Sequence, residues 1–273
     1  MELVLSRPNG ILVEPENPCG TGVLVVAGSS GRVDEGRARL LARHGATAMS
    51  IQWFGCEGQP DGPYDVPLET FTAALDELAT RCDRLAMIGT SFGAEATLLT
   101  SACDQRVTAA VAFAPSPVVW AGVRPDGSVT SHWTRAGEPL PYLPFVEPSQ
   151  PVGDPPAFRC TYAESLAAAA PETVAAATIP VEAIAGAVVL IAGGDDQVWP
   201  ADAWVDTIAR RRTDAGRETT VVTAARAGHR TVLPGEDVVR AGAAIARGGT
   251  PDADSDLGRR AWPHLVRALQ LRL

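Results

Sequence analysis

Lysine is missing from this 273-residue chain, so all 23 basic residues are arginine. Its absence excludes a Walker-type phosphate loop, whose lysine grips the nucleotide, and any Schiff-base mechanism. Positive charge is in short supply more generally: 32 Asp and Glu outweigh the arginines and give a net charge of −9. That balance argues against a nucleic-acid partner, because phosphate binding needs a positive face. Cysteines number five, an odd count, and are never spaced C-x-x-C. Cys19, Cys56, Cys82, Cys103 and Cys160 therefore read as reduced thiols rather than a disulfide frame or a zinc site. No apolar stretch reaches the roughly 18 residues of a membrane span. The opening MELVLSRPNG has no basic segment followed by an apolar one, so no secretory signal is read and a cytoplasmic location is expected. Internal repeats and low-complexity tracts are also lacking.

What is present is an alternation of short apolar runs with longer amphipathic ones, the pattern of βαβ units around a largely parallel sheet. Strands are expected at 22–28, 47–53, 84–90, 107–114, 187–194 and 218–224. Helices are expected at 33–45, 66–82, 93–102 and 201–212, with Pro67 suited to a first helical turn. The rhythm breaks between Ala114 and about Ile184, a stretch rich in proline that also carries the alanine-rich TYAESLAAAAPETVAAA. A structureless loop of that length is uncommon inside a compact domain. It reads as a cap, about 115–184, inserted into a single domain spanning 1–273. Trp120, Trp133 and Tyr142 of this cap are expected to wall a substrate pocket.

IGTSFGAEA (88–96) places Ser91 between Gly89 and Gly93, at the end of one apolar run and the start of a helix-forming one. The bare G-x-S-x-G pattern is common and needs context. A serine nucleophile on such a turn requires small neighbours, a carboxylate past a later strand and a histidine after that. GGDDQVWP supplies Asp195 and Asp196 directly after a strand; Asp196 is the preferred acid, with Asp195 as the alternative. These adjacent carboxylates lack a nearby histidine or cysteine that would complete a metal site, and no metal or cofactor is expected. Only four histidines exist to choose from. His44 sits late in a helix, His132 falls in the cap and His264 in the last helix. His132 comes before the acid and has the wrong order; His229, in ARAGHRTV just beyond the final strand, is the expected base. An oxyanion hole would draw one backbone N–H from Phe92 and another from the GSSG loop, with Ser29 preferred and Ser30 as backup.

The pieces GSSGRVDEGRARLLARHG, QWFGCEGQPDGPYDVPLETF, GTSFGAEATLL, GEPLPYLPF, GGDDQVWP and AGH resemble the α/β-hydrolase family. Within it they are similar to the catalytic domain shared by acyl-CoA thioester hydrolases and bile acid-CoA:amino acid N-acyltransferases, over nearly the whole chain. The resemblance implies an α/β-hydrolase fold, a mostly parallel sheet with helices on both faces, and no cofactor. It carries the nucleophile onto Ser91, the acid onto Asp196 and the base onto His229. Animal members carry an immunoglobulin-like domain ahead of the catalytic one, for which this chain leaves no room, so their substrate preferences are not carried over. Members that pass the acyl group to an amine tend to use cysteine, and serine here resembles the hydrolytic branch. The expected function is therefore a serine thioesterase acting on a small-molecule acyl ester or thioester. Transfer or cyclisation to an amine, alcohol or carbon nucleophile is the alternative. The net charge disfavours both coenzyme A and an acidic carrier protein as the acyl donor, unless arginines such as Arg32, Arg37, Arg135 or Arg159 cluster at the mouth. Oligomeric state stays open.

Overall fold

A computed structural model describes residues 1–146, 151–239 and 243–272; residues 147–150 of the expected cap lie outside them. The chain opens with a hairpin, β1 (Glu2–Ser6) and β2 (Asn9–Val13), then β3 (Thr21–Val26), helix α1 (Glu35–Arg43) and β4 (Thr47–Ile51). There follow a two-residue strand β5 (Val66–Pro67), α2 (Glu69–Ala79), β6 (Arg84–Thr90), α3 (Phe92–Cys103) and β7 (Val107–Phe113). The segment after β7 holds four short strands, β8 (Ala121–Val123), β9 (Val129–Ser131), β10 (Trp133–Arg135) and β11 (Glu138–Pro139), and two helices, α4 (Arg159–Ala168) and α5 (Pro171–Ala177). β12 (Ala187–Gly193), α6 (Ala201–Asp214), β13 (Thr220–Ala224) and α7 (Pro251–Leu269) complete it.

The described residues form an eight-stranded sheet in the order β1-β2-β4-β3-β6-β7-β12-β13. β1 and β2 run antiparallel to each other and β2 to β4, while all other neighbours are parallel. Central strands are buried on both faces, which is why β3 and β6 read as unbroken apolar runs rather than alternating ones. Helices cover both sides. Phe71, Ala74, Leu75 and Leu78 of α2 recur at helical spacing and pack with α3 and α6 in one core. Leu40 and Leu41 of α1 and Leu257, Ala261 and Leu265 of α7 fill the core on the other face. Each such leucine contributes about 1.5–3 kcal/mol by leaving water.

One local expectation is corrected, and two features are added to the reading. The opening hairpin was not anticipated, because NGILV alternates too weakly to stand out. Pro67 is not in a helical first turn: it lies in β5, paired with Thr134 of β10, and α2 begins two residues later. The alanine-rich piece is two helices, split where Pro171 ends one register and starts the next at its first turn.

The sheet order fixes where chemistry can occur. The chain moves from β3 to β4 on one side and then crosses to β6 on the other, so β3 and β6 lie side by side with their following loops diverging. A crevice at the carboxyl ends of strands at such a switch point is where open α/β sheets bind ligands. Gly28–Gly31 follows β3, and Ser91 follows β6.

Candidate active site

Ser91 occupies the single residue between β6 and α3, with φ 58° and ψ −122°. A side chain rarely tolerates a positive φ, so the turn holds strain that the surroundings must impose. They do so by close packing. A Cβ at Gly89 would lie 1.9 Å from the carbonyl oxygen of Gly93, and one at Gly93 would lie 2.4 Å from those of Val26 and Ala27. The glycines of G-x-S-x-G are thus required by backbone approach; the left-handed angle belongs to the serine itself. Ser91 N–H donates to the Phe113 carbonyl at 2.9 Å, tying the turn to the end of β7.

Asp196 is fully buried in the turn after β12. One carboxylate oxygen, Oδ1, accepts the N–H groups of Val198 and Trp199 at 2.8 and 3.2 Å. The other, Oδ2, lies 2.7 Å from His229 Nδ1. A carboxylate can only accept, so Nδ1 carries the proton and Nε2 is left as the acceptor. Asp195 is the exposed neighbour that meets Gly249 N–H and the Gln197 amide instead of the imidazole. Arg159, placed at the start of α4, donates to the Asp196 carbonyl at 2.9 Å and braces the turn from the other side. The Trp199 ring lies edge-on to the His229 ring, with centroids 5.7 Å apart.

Ser91 and His229 both line one cavity of about 800 Å³. Phe92, Ser29 and Ser30 line it as well. Phe92 is the first residue of α3, so its N–H is among the helix-start donors that have no acceptor within the helix. Gly28 keeps the neighbouring loop close: a Cβ there would stand 3.1 Å from Ser91 Cβ.

The aromatic expectations are corrected. Trp120 and Trp133 are completely buried and do not line the cavity. Trp120 stacks on Phe145 and Trp204 and donates from Nε1 to Ser116 Oγ, while Trp133 donates to buried Glu95. Their size and their single polar atom are used in the core. Tyr142 faces a separate shallow depression beside Pro139 and Glu172. The cap aromatics at the cavity are instead Phe158 and Tyr162, from the start of α4 and its first turn. Burial, reinforced by the charge of Glu95, holds the Tyr162 phenol well above its ordinary pKa, so it stays neutral.

Sequence reading also missed the polar frame that joins the serine turn to the histidine loop. Arg37 of α1 is buried and forms an ion pair with Glu236 at 2.6 Å. It donates to Thr90 Oγ1 at 3.1 Å, one residue before Ser91, and to the Thr231 carbonyl, two residues after His229. Its guanidinium lies 4.5 Å above the Phe113 ring. Asp254, in the first turn of α7, accepts Gly228 N–H at 2.7 Å. Burial raises its pKa, with Asp195 and Asp196 adding to the effect and the Gly228 bond opposing it. Of the four arginines weighed as a possible cluster at the mouth, Arg32 and Arg37 line the cavity, whereas Arg135 and Arg159 do not. Arg230 and Arg247 do line it and carried no signal, since the 225–250 segment has neither helical nor strand periodicity.

No helix among the described residues is long and apolar enough to cross a membrane. No curated protein sequence matches the chain. Among solved structures, the chain is similar to the dienelactone hydrolase-like promiscuous phosphotriesterase P91 from metagenomic libraries, at 14% identity and TM-score 0.53 over 99% of this chain and 97% of that one. It is also similar to the esterase domain of a Rhodothermus marinus protein, at 12% identity and TM-score 0.53 over 98% of each chain. A third likeness is to Pyrococcus horikoshii acylaminoacyl peptidase, at 11% identity and TM-score 0.55, covering 96% of this chain and 39% of that one. These likenesses show an α/β-hydrolase fold. Residues 66–273 match the family described as BAAT/acyl-CoA thioester hydrolase C-terminal, a narrower span than the motifs at 28–45 implied. The chain therefore belongs to that family of α/β-hydrolase enzymes.

Proposed function

We propose that the protein is a serine acyl hydrolase that cleaves a thioester through an acyl-enzyme, with Ser91 as nucleophile, His229 as general base and Asp196 as its orienting acid. The observation that carries this reading is the 2.7 Å contact between Asp196 Oδ2 and His229 Nδ1, beside a cavity that Ser91 shares with that imidazole. The contact fixes the tautomer in which Nε2 is free to take a proton.

The chemistry follows from these atoms. Ser91 Oγ attacks the acyl carbonyl carbon as its proton passes to His229 Nε2. The new imidazolium is stabilised by the Asp196 carboxylate, whose other oxygen is held in place by two backbone N–H groups. Negative charge gathers on the former carbonyl oxygen, where the N–H groups of Phe92 and Ser29 would receive it. Collapse of this adduct breaks the C–S bond, and the departing sulfur takes the proton from His229. Water then adds to the acyl-serine with His229 again as base, releasing the carboxylic acid and restoring the Ser91 hydroxyl. Thioester rather than oxygen ester is favoured by the family to which the chain belongs.

The test is turnover of short, medium and aromatic acyl thioesters beside simple esters, with Ser91→Ala as control and product analysis in the presence of candidate amines and alcohols. Loss of turnover by at least about 10³-fold in Ser91→Ala, with free acid as the product, is the expected result. Full activity in Ser91→Ala would overturn the nucleophile, and conjugates formed at the expense of acid would overturn water as the acceptor.

A further inference from the structure

The turn after β3 leaves two backbone donors unused. Ser29 and Ser30 both line the cavity, and neither N–H has a hydrogen-bond partner among the described residues. The turn itself is closed by one bond, from the Gly31 N–H to the Gly28 carbonyl at 2.9 Å. Free donors stabilise an oxyanion only when their direction is fixed before the charge develops. A single bond across the turn leaves that direction adjustable, so other groups must hold it.

Trp53 holds both ends. Fully buried and two residues beyond β4, it donates from Nε1 to the Ala27 carbonyl at 3.0 Å. Its backbone N–H donates to the Gly31 carbonyl at 3.2 Å. Gly28, Ser29 and Ser30 are thus spanned by one residue. The Ala27 carbonyl is also one that Gly93 approaches, since a Cβ at Gly93 would stand 2.4 Å from it. The indole therefore anchors a peptide wedged against the serine turn. Phe54 packs on the far end, where a Cβ at Gly31 would lie 2.3 Å from its ring.

The indole is braced in turn. Its ring lies 4.8 Å from that of Phe54 and 5.1 Å from that of Trp133 between centroids. Trp133 donates to Glu95 on α3, the helix whose first residue is Phe92. Both donors expected at the oxyanion, on Ser29 and Phe92, are thereby tied to one aromatic frame. A buried tryptophan needs an acceptor for its N–H, and any core carbonyl would serve. Here the acceptor is the residue that begins the turn.

We propose that Trp53 is a positioning residue for the oxyanion hole: through the Ala27 and Gly31 carbonyls it sets the direction in which the Ser29 N–H meets the developing charge. This rests on the acyl-hydrolase reading above and names the side chain that preorganises its hole. Trp53 does not line the cavity and acts only through the turn.

The test is Trp53→Phe, which keeps an aromatic ring and removes the Nε1 donor, assayed on the best substrate of the thioester and ester panel above. kcat and kcat/KM are expected to fall together by about 10- to 100-fold, with KM within about threefold of wild type. The midpoint of the kcat/KM pH profile should not move, because the His229 loop is untouched. A trifluoromethyl ketone, which forms a tetrahedral adduct with Ser91, should lose affinity by the same factor as kcat/KM. Phe71→Leu is the packing control: Phe71 is as buried as Trp53, lies 6.3 Å from it between centroids, and its side chain forms no hydrogen bond. It should lower the thermal midpoint and leave kcat within about threefold of wild type. Where Trp53→Phe does not fold, 3-benzothienylalanine at position 53 alone keeps the bicyclic shape without the N–H, and the same losses are expected. Unchanged kcat in a folded variant, a rise in KM alone, a shifted pH midpoint, or an equal rate loss in Phe71→Leu would overturn the proposal and leave the hydrolase reading standing. Absence of Ser91-dependent turnover across the panel removes both.

Discussion

Two buried carboxylate–imidazole pairs flank the serine turn, and only one faces the cavity. Asp196 and His229 are 2.7 Å apart, and His229 opens onto the space that Ser91 lines. Glu95 and His132 are 3.5 Å apart, with both residues almost completely shielded and neither lining that space. Glu95 is four residues past Ser91 on α3, and the His132 ring lies against Phe92 with centroids 3.9 Å apart. By residue type and distance from Ser91, the second pair could pass for a catalytic one. The carboxylates are held differently. Asp196 divides its oxygens, one for two backbone N–H groups and one for the imidazole. Glu95 places both the Trp133 indole N–H and His132 on Oε2, and its buried Oε1 has no hydrogen-bond partner. An acid–histidine couple becomes a site only where the far side of the ring is reachable and the acid is secured by groups other than the ring. The inner pair joins α3 to the cap segment.

The largest separation between the pairs is expected in rate. Asp196→Asn keeps the shape but replaces an acceptor with an amide, so the imidazole loses the tautomer it needs. kcat should fall by about 10³- to 10⁴-fold with little change in thermal midpoint. A fall of less than about tenfold would mean that Asp196 does not orient the base.

The inner pair should respond in the opposite sense. His132→Phe removes an imidazole but preserves a ring against Phe92, leaving Glu95 with the indole N–H alone. Unfolding in denaturant should show a loss of about 1–3 kcal/mol, while kcat stays within about tenfold of wild type. A rate loss as large as that of Asp196→Asn would erase the distinction between the two pairs.

The smallest effect concerns Asp254, which supports the outer pair through Gly228. Its carboxyl is raised in the folded state, so the native protein binds that proton more tightly than the unfolded chain does. Stability from this group is therefore present at acid pH and is lost as pH rises from about 4 through the raised value. Asp254→Asn retains an acceptor for the Gly228 N–H and removes the charge, so denaturant midpoints measured above about pH 4 should decline less steeply than in wild type. An unchanged slope would show that Asp254 titrates normally.

Legibility in the sequence followed the type of physical constraint. Ser91, Asp196 and His229 could be named because strand ends, short turns and chain order restrict where such groups can stand. The central strands could be named because burial on both faces leaves unbroken apolar runs. The short strands β8–β11 were illegible: two or three residues carry no period, and their pairing depends on long-range partners. Trp120 and Trp133 were misplaced because a proline-rich aromatic segment looks the same whether its rings face a ligand or a core. Only the contact with Glu95 and Ser116 decides that. Arg37 sits within the amphipathic pattern of α1, and nothing in GRARLLAR marks it as the arginine that turns inward to meet a glutamate 199 positions later.

That arginine has a consequence for how the enzyme matures. Until Glu236 has been synthesised and docked, the Arg37 cation lacks its ion-pair partner, and Asp34 at the start of helix α1 offsets its charge only from a distance. A nascent or proteolytically shortened polypeptide ending before residue 236 would carry a cation stripped of its hydrogen-bonded carboxylate, and the first half of the sheet could not close over it at low cost. Completion of the C-terminal portion thus neutralises the interior in the same event that delivers the histidine, so the fragment is inert until the whole is made.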